Sequence, residues 1–116
     1  MEVQIFGTRK CADTRKAQRF FSERRVRAHF VDLSEKPASR GELTRFVHRF
    51  GVAALVDVES RRYSDLGLRT SRLSDDRWLS LLVDEPMLLR TPLVRCQQRL
   101  TIGLAESEWA SWVAAK

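Results

Sequence analysis

Cys11 stands among basic neighbours in "FGTRKCADTRK" (Phe6–Lys16), where a short apolar run ends and a helical pattern begins. A thiol attacks as its thiolate, and a free cysteine with a pKa of about 8.5 is mostly protonated at neutral pH. Several features of this stretch favour the anion. Position 11 falls at the start of a predicted helix, where unpaired backbone N–H groups and the helix dipole attract negative charge. Thr14 follows three residues later, and its hydroxyl can donate to the sulfur. Arg15 lies one turn on, and Arg9 and Lys10 precede. Asp13 opposes them by adding negative charge to the same turn. Thr14 occupies the place where a dithiol motif would carry its second cysteine, so Cys11-Ala12-Asp13-Thr14 is a monothiol arrangement. On these residues alone two readings stand: a reactive thiolate, or an inert cysteine beside a helix cap.

Other chemistries find less support. The chain has two cysteines, Cys11 and Cys96, and two histidines, His29 and His48, at no ligand-like spacing, so no metal site is expected. Neither histidine has a nearby partner in sequence, and neither is given a catalytic role. Trp109 and Trp112 are read as packing residues, and Arg24–Arg27 ("RRVR") as a helix end. The formal charge is +6, with arginine far outnumbering lysine. The arginines are scattered, and no basic run is interleaved with aromatics as in a single-strand binder. A solvated basic surface is preferred over direct nucleic-acid binding.

The elements that must position Cys11 follow from hydropathy. Val3–Phe6 reads as a strand broken by Gly7 and Thr8. From Ala12 the pattern turns helical, with Ala17, Phe20 and Phe21 on one face, and Ala28–Leu33 is a second strand. A strand, a helix and a strand predict a βαβ unit with parallel strands and a right-handed crossover. Ser39–Glu42 ("SRGE") has capping-box form and opens a helix running to about Phe50, with Leu43, Phe46, Val47 and Phe50 inward and Gly51 closing it. Ala53–Val58 reads as a short apolar connection, and Tyr63–Leu68 as a brief helical turn ending near Gly67. Ser74 caps a helix that Pro86 stops, and Met87–Arg90 can add a turn. Thr91–Cys96 and Arg99–Leu104 form a predicted antiparallel hairpin turning near Gln97-Gln98. Glu106–Ala115 is a last helix.

At 116 residues the chain suits one domain. The start shows an acid at position 2 and only a short apolar run, unlike a signal peptide, and nothing approaches a membrane span of about 18 apolar residues. Two widely spaced cysteines do not suggest a disulfide-stapled secreted protein. A cytoplasmic location, with no membrane contact, is the expectation.

The order β-α-β, then helices, then β-β-α is that of an α/β, thioredoxin/glutaredoxin-like mixed sheet with a helical insertion at about 39–90. With Cys11 after the first strand, "YSDLGL" (Tyr63–Leu68), "LLRTPLV" (Leu88–Val94) and "IGLAESEW" (Ile102–Trp109), the chain resembles the ArsC family of arsenate reductases, Spx transcription regulators and YffB-type thiol proteins. The likeness covers essentially the whole chain and implies one such domain over 1–116. The family's nucleophile falls on Cys11, and its cis-proline on Pro92. With Pro92 beside Cys11, Cys96 lies four residues further along the strand, about 13 Å at roughly 3.3 Å per residue. A disulfide needs Cα atoms within about 7 Å, so the resolving thiol must come from outside.

The resemblance also shows where this chain departs. Arsenate reductases hold the oxyanion with arginines, one immediately before the cis-proline, one before the central tyrosine segment and one after the hairpin. Here those places carry Thr91, about Asp57, and Leu104, which leaves a tetrahedral oxyanion few charge-assisted donors. The expectation is therefore a monothiol-dependent reductase of the ArsC/YffB type, with Cys11, Thr14 and Arg15 at the reacting sulfur. Arg9, Lys10, Arg15 and Arg90 are candidates for a co-substrate's carboxylates, with Thr91 and Pro92 presenting backbone to a peptide as an added strand. No cofactor is expected to be bound. Glutathione as co-substrate, or a redox protein, is the expected partner. The alternatives are an Spx-like regulator binding RNA polymerase and a non-catalytic binding module, and arsenate reduction is less favoured.

Overall fold

Alternation in Glu2–Gly7 produces strand β1, in which Val3, Ile5 and Gly7 face one way and Gln4 and Phe6 the other. The computed structural model describes residues 1–115. They divide into two compact units, one built from Met1–Asp32 with the segment from Thr91 onward, the other from Leu33–Arg90.

In the first unit β1 is followed by helix α1 (Ala12–Glu23) and strand β2 (Arg27–Asp32), and later by strands β3 (Leu93–Cys96) and β4 (Arg99–Ile102). The sheet order is β2-β1-β3-β4. β1 and β2 are parallel, with Ile5 opposite Phe30, whereas β1 and β3 are antiparallel, with Ile5 opposite Val94. β3 and β4 form the expected hairpin. This is the mixed thioredoxin-like sheet anticipated from the element order.

One face of this sheet packs on α1 and on a last helix, α6 (Glu106–Ala114). Val3, Ile5, Val94 and Cys96 meet Ala17, Phe20, Phe21, Trp109 and Trp112 there. The helical spacing of Thr14, Ala17, Phe20 and Phe21 buries one stripe of α1. Trp109, fully buried, lies with its ring centre 5.5 Å from Phe20 and 5.4 Å from Phe21. Its indole N–H donates to Thr101 Oγ1 at 2.8 Å, which satisfies the one polar atom of the ring. At the end of α1 the Arg24 guanidinium lies 3.6 Å from the Phe20 ring centre and donates to the Phe20 carbonyl. Cation and ring thus stabilise the helix terminus together.

The second unit is helical. It contains α2 (Arg40–Phe50), α3 (Val52–Leu55), α4 (Arg61–Asp65) and α5 (Asp75–Asp84), with single 3₁₀ turns at Leu68–Thr70 and Pro86–Leu88. Three serines fix the starts of its longer elements. Ser39, Ser60 and Ser74 accept from the backbone N–H groups of Glu42, Tyr63 and Arg77, each satisfying an otherwise unpaired donor. Gly51, with φ +83°, ends α2. Arg62 pairs with Glu85, linking α4 to the turn after α5.

Several boundaries differ from expectation. The predicted connection at 53–58 overlaps α3, which starts at Val52, and Val56 then bridges to Leu89 as an isolated antiparallel pair. Phe50 is 39% exposed rather than inward, and Val47 is only half-buried. Leu43 and Phe46 already fill the buried stripe of α2, and Phe50 is its last residue, where the helix is ending. The hairpin strands are shorter than predicted. Thr91-Pro92 is a cis peptide and precedes β3, while Gly103 (φ +76°) donates its N–H to the Pro92 carbonyl and turns the chain out of β4 before Leu104. The compact helical unit spans Leu33–Arg90, and its first helix starts after the N-cap Ser39.

Candidate active site

The loop Thr8–Cys11 carries the chain from the end of β1 into α1. The Cys11 N–H closes this turn on the Thr8 carbonyl at 3.1 Å. Cys11 is the N-cap residue of α1, in extended conformation, and its side chain makes no cap hydrogen bond as a neutral thiol. The sulfur thus sits at the helix start, where the first turn's N–H groups and the helix dipole favour an anion. From across the fold, Thr91 reaches the same sulfur. Thr91 Oγ1 donates to Sγ at 3.2 Å, and the thiol in turn lies 3.7 Å from the Thr91 carbonyl that can accept its proton.

Partial burial is the strongest single influence on this thiol, and it pushes the pKa up. Four donors outweigh it together: the Thr14 hydroxyl first, then the Thr91 hydroxyl, then the backbone N–H groups of Thr14 and Asp13. The net result holds the Cys11 thiol below its ordinary value. Thr14 itself is fully buried, and its Oγ1 has no hydrogen-bond partner in this structure. A buried hydroxyl without an acceptor is costly. Ionisation of Cys11 gives that hydroxyl an acceptor, so burial of Thr14 and acidity of Cys11 support one another.

The structure thus brings together Cys11, Thr14, Thr91 and Pro92. The basic residues are placed otherwise than the sequence suggested. Arg15 turns its guanidinium to the Arg9 carbonyl at 2.7 Å, bracing the loop rather than the sulfur. Arg9 pairs with the buried carboxylate of Asp32 at 2.9 Å, and its guanidinium lies 5.8 Å from the Phe30 ring centre. Lys10 is exposed. Arg90 belongs to the helical unit, where its N–H donates to the Leu55 carbonyl at 2.8 Å and its guanidinium points to the Ala54 carbonyl at 3.5 Å. Asp13, expected to oppose ionisation by its charge, contributes a backbone donor that favours it. Thr91 was expected to offer backbone, and its hydroxyl contact with the sulfur was not foreseen, because eighty residues separate the two.

Cys96 is a free cysteine buried in the core, as is consistent with a packing role. It follows Arg95, which pairs with Gln4, so it lies toward the start of β1, whereas Cys11 lies beyond that strand's end. Among the described residues no cluster of three or more His, Cys, Asp and Glu side chains could hold a metal ion. Among them, too, no helix is long and apolar enough to cross a membrane.

A single cysteine capping the first helix of a thioredoxin-like sheet, opposite a cis-proline, defines a class of one-thiol folds. Within that class the chain belongs to the ArsC family, whose model matches residues 6–112. It is 29% identical over 105 residues to an arsenate reductase of Neisseria meningitidis serogroup A, covering 88% of this chain and 90% of that one. It is 27% identical over 113 residues to global transcriptional regulator Spx 2 of Bacillus cereus, covering 91% and 82%. Among solved structures, an arsenate reductase from Vibrio cholerae superposes with a TM-score of 0.83 at 24% identity, covering 96% of this chain and 97% of that one. The YFFB (PA3664) protein superposes with a TM-score of 0.85 at 18% identity, covering 94% and 96%. These two likenesses carry the fold.

Proposed function

We propose that this protein is a monothiol-dependent reductase in which Cys11 is the nucleophile. The observation that carries this reading is the placement of Cys11: a half-exposed sulfur at the N-cap of α1, with Thr91 Oγ1 donating to it at 3.2 Å beside the cis Thr91-Pro92 bond. In the first step the Cys11 thiolate attacks one sulfur of a disulfide substrate. A new S–S bond forms to Cys11, the substrate's own S–S bond breaks, and the departing sulfur leaves as a thiolate that takes a proton from solvent. In the second step an external thiol, glutathione or a protein thiol, attacks the substrate-derived sulfur and releases Cys11 as thiolate. That sulfur is then held in a mixed disulfide with the external thiol, and a second external thiol breaks it, so that the substrate gains two electrons and two protons in all and the two external thiols end joined as one disulfide. Cys96, buried toward the far end of β3, takes no part.

Arsenate reduction fits this site less well. Thr91 stands before the cis-proline where a guanidinium would be expected to meet an oxyanion, and Leu104, after the hairpin, is 41% exposed and apolar. The similarity to Spx regulators supports a second reading, an interaction protein that binds RNA polymerase.

Iodoacetamide labelling against pH, with the labelled site read by mass, separates the readings. The reductase reading expects Cys11 to react with a midpoint below that of a free cysteine, the fast phase to vanish in Cys11→Ser, and Cys96→Ser to change little. Incubation with oxidised glutathione should add one glutathione at Cys11. Slow, equal labelling of both thiols, with no adduct, refutes it. Retention of RNA polymerase by the immobilised protein, together with that unreactive thiol, would favour the second reading.

A further inference from the structure

Gly7 ends β1 on the same sheet face as Val3 and Ile5, the face that packs against α1. A methyl group built on Gly7 would collide with three atoms of one side chain. They are Thr14 Oγ1, at less than any real contact distance, Thr14 Cγ2 at 2.7 Å and Thr14 Cβ at 3.0 Å. The threonine cannot rotate away from all three, because its own Cβ, fixed by the backbone of α1, is among them. Nor is there free space to receive it, since Thr14 is fully buried.

The geometry points to Gly7 as a positioning residue of the thiol site: its lack of a side chain lets α1 begin hard against the end of β1, and so fixes the buried, unpartnered Thr14 hydroxyl in the helical turn that Cys11 caps. This rests on the reading of Cys11 as the attacking thiolate. Gly7 itself touches neither the sulfur nor a substrate; it acts through Thr14. Its φ is an ordinary negative one, so close approach, not backbone freedom, is what requires glycine here. Any β-carbon at position 7 must push the first turn of α1 outward or turn the hydroxyl away. Either displacement removes the strongest of the donors that favour the anion.

A double-mutant cycle on the full chain tests this, using Gly7→Ala, Thr14→Ala and the two combined. The readout is the rate of iodoacetamide labelling at Cys11 across pH, which a change in stability alone does not displace. Gly7→Ala is expected to raise the pH midpoint and slow labelling near neutrality about threefold, the net of losing one charge-assisted bond and gaining intrinsic nucleophilicity. Thr14→Ala should do the same. In the Thr14→Ala background, Gly7→Ala should add little, because no hydroxyl remains to displace and only the 3.0 Å contact with the β-carbon of residue 14 persists. A folded Gly7→Ala protein with the wild-type pH profile overturns the proposal while leaving Cys11 as nucleophile. A wild-type Cys11 that titrates as a free cysteine overturns the nucleophile itself and this role with it. Should Gly7→Ala alone not fold, the double variant carries the test. A profile matching Thr14→Ala supports the positioning role, and one displaced further overturns it.

Discussion

Replacing Thr14 with valine keeps the volume and branching of the side chain and removes only its hydroxyl. Two opposite effects follow from the structure. With Cys11 protonated, Thr14 Oγ1 is buried without a partner, and relieving that should stabilise the fold by roughly 1 kcal/mol, the lower end for an unsatisfied buried group. With Cys11 ionised, the variant loses a charge-assisted hydrogen bond to the sulfur. Such bonds contribute about 1.5–3 kcal/mol net, and the sulfur's partial exposure to solvent argues for the smaller figure. About 1.4 kcal/mol is a factor of ten in thiolate population below the midpoint. The less acidic thiol is the better nucleophile once ionised, and recovers about threefold of that. Labelling near neutral pH should therefore fall about threefold, the high-pH plateau should rise about threefold, and the midpoint should move up. Urea unfolding at a pH well below the labelling midpoint, where Cys11 is protonated, measures the stability side, and iodoacetamide rates across pH measure the other. An unmoved midpoint would refute the argument. So would a clear loss of stability at the acidic pH, since it would mean that the hydroxyl already has a partner in the thiol form.

Three further outcomes follow. The Cys11 pKa is lowered on folding, so the thiolate stabilises the native state above the unfolded-state pKa, and that contribution is lost as pH falls through the native pKa; the stability of wild type relative to Cys11→Ser should rise with pH across that interval and be flat below it, as urea midpoints will show. Arg9→Ala should cost about 1 kcal/mol, because the Asp32 carboxylate it meets is buried although the guanidinium is largely exposed; denaturant unfolding checks this. Trp109→Phe should cost roughly 2–3 kcal/mol by opening space between Phe20 and Phe21 and leaving Thr101 Oγ1 without its donor; here a thermal melt suffices, and a change below about 0.5 kcal/mol would contradict the packing described.

Features governed by neighbours in the chain were legible from residue types. Ser39 and Ser74 cap their helices as the local pattern suggests, because the capping oxygen and the N–H it accepts are three residues apart. The alternation of β1 and the stripe on α1 likewise follow from period alone. The placement of Cys11 at a helix start could be read the same way. What brings Thr91 to the sulfur could not, since it depends on the register of β1 against β3. Arg9 and Arg15 mislead for a related reason. A flexible cation near a thiol in sequence has many possible partners, and here a buried aspartate and a backbone carbonyl claim them. Gly7 gives no signal beyond ending a strand, because its significance lies in an atom of Thr14 that sequence cannot place.

The two sulfurs sit toward opposite ends of β1, one half-exposed and one sealed in the core. Without a rearrangement of the sheet, the molecule has nowhere of its own to store an oxidising equivalent as an internal crosslink. Whatever oxidises Cys11 must stay attached as a visible passenger, a glutathionyl group, a second protein or an oxygen atom. The redox condition of this chain can therefore be weighed, and the identity of the added mass names its last encounter.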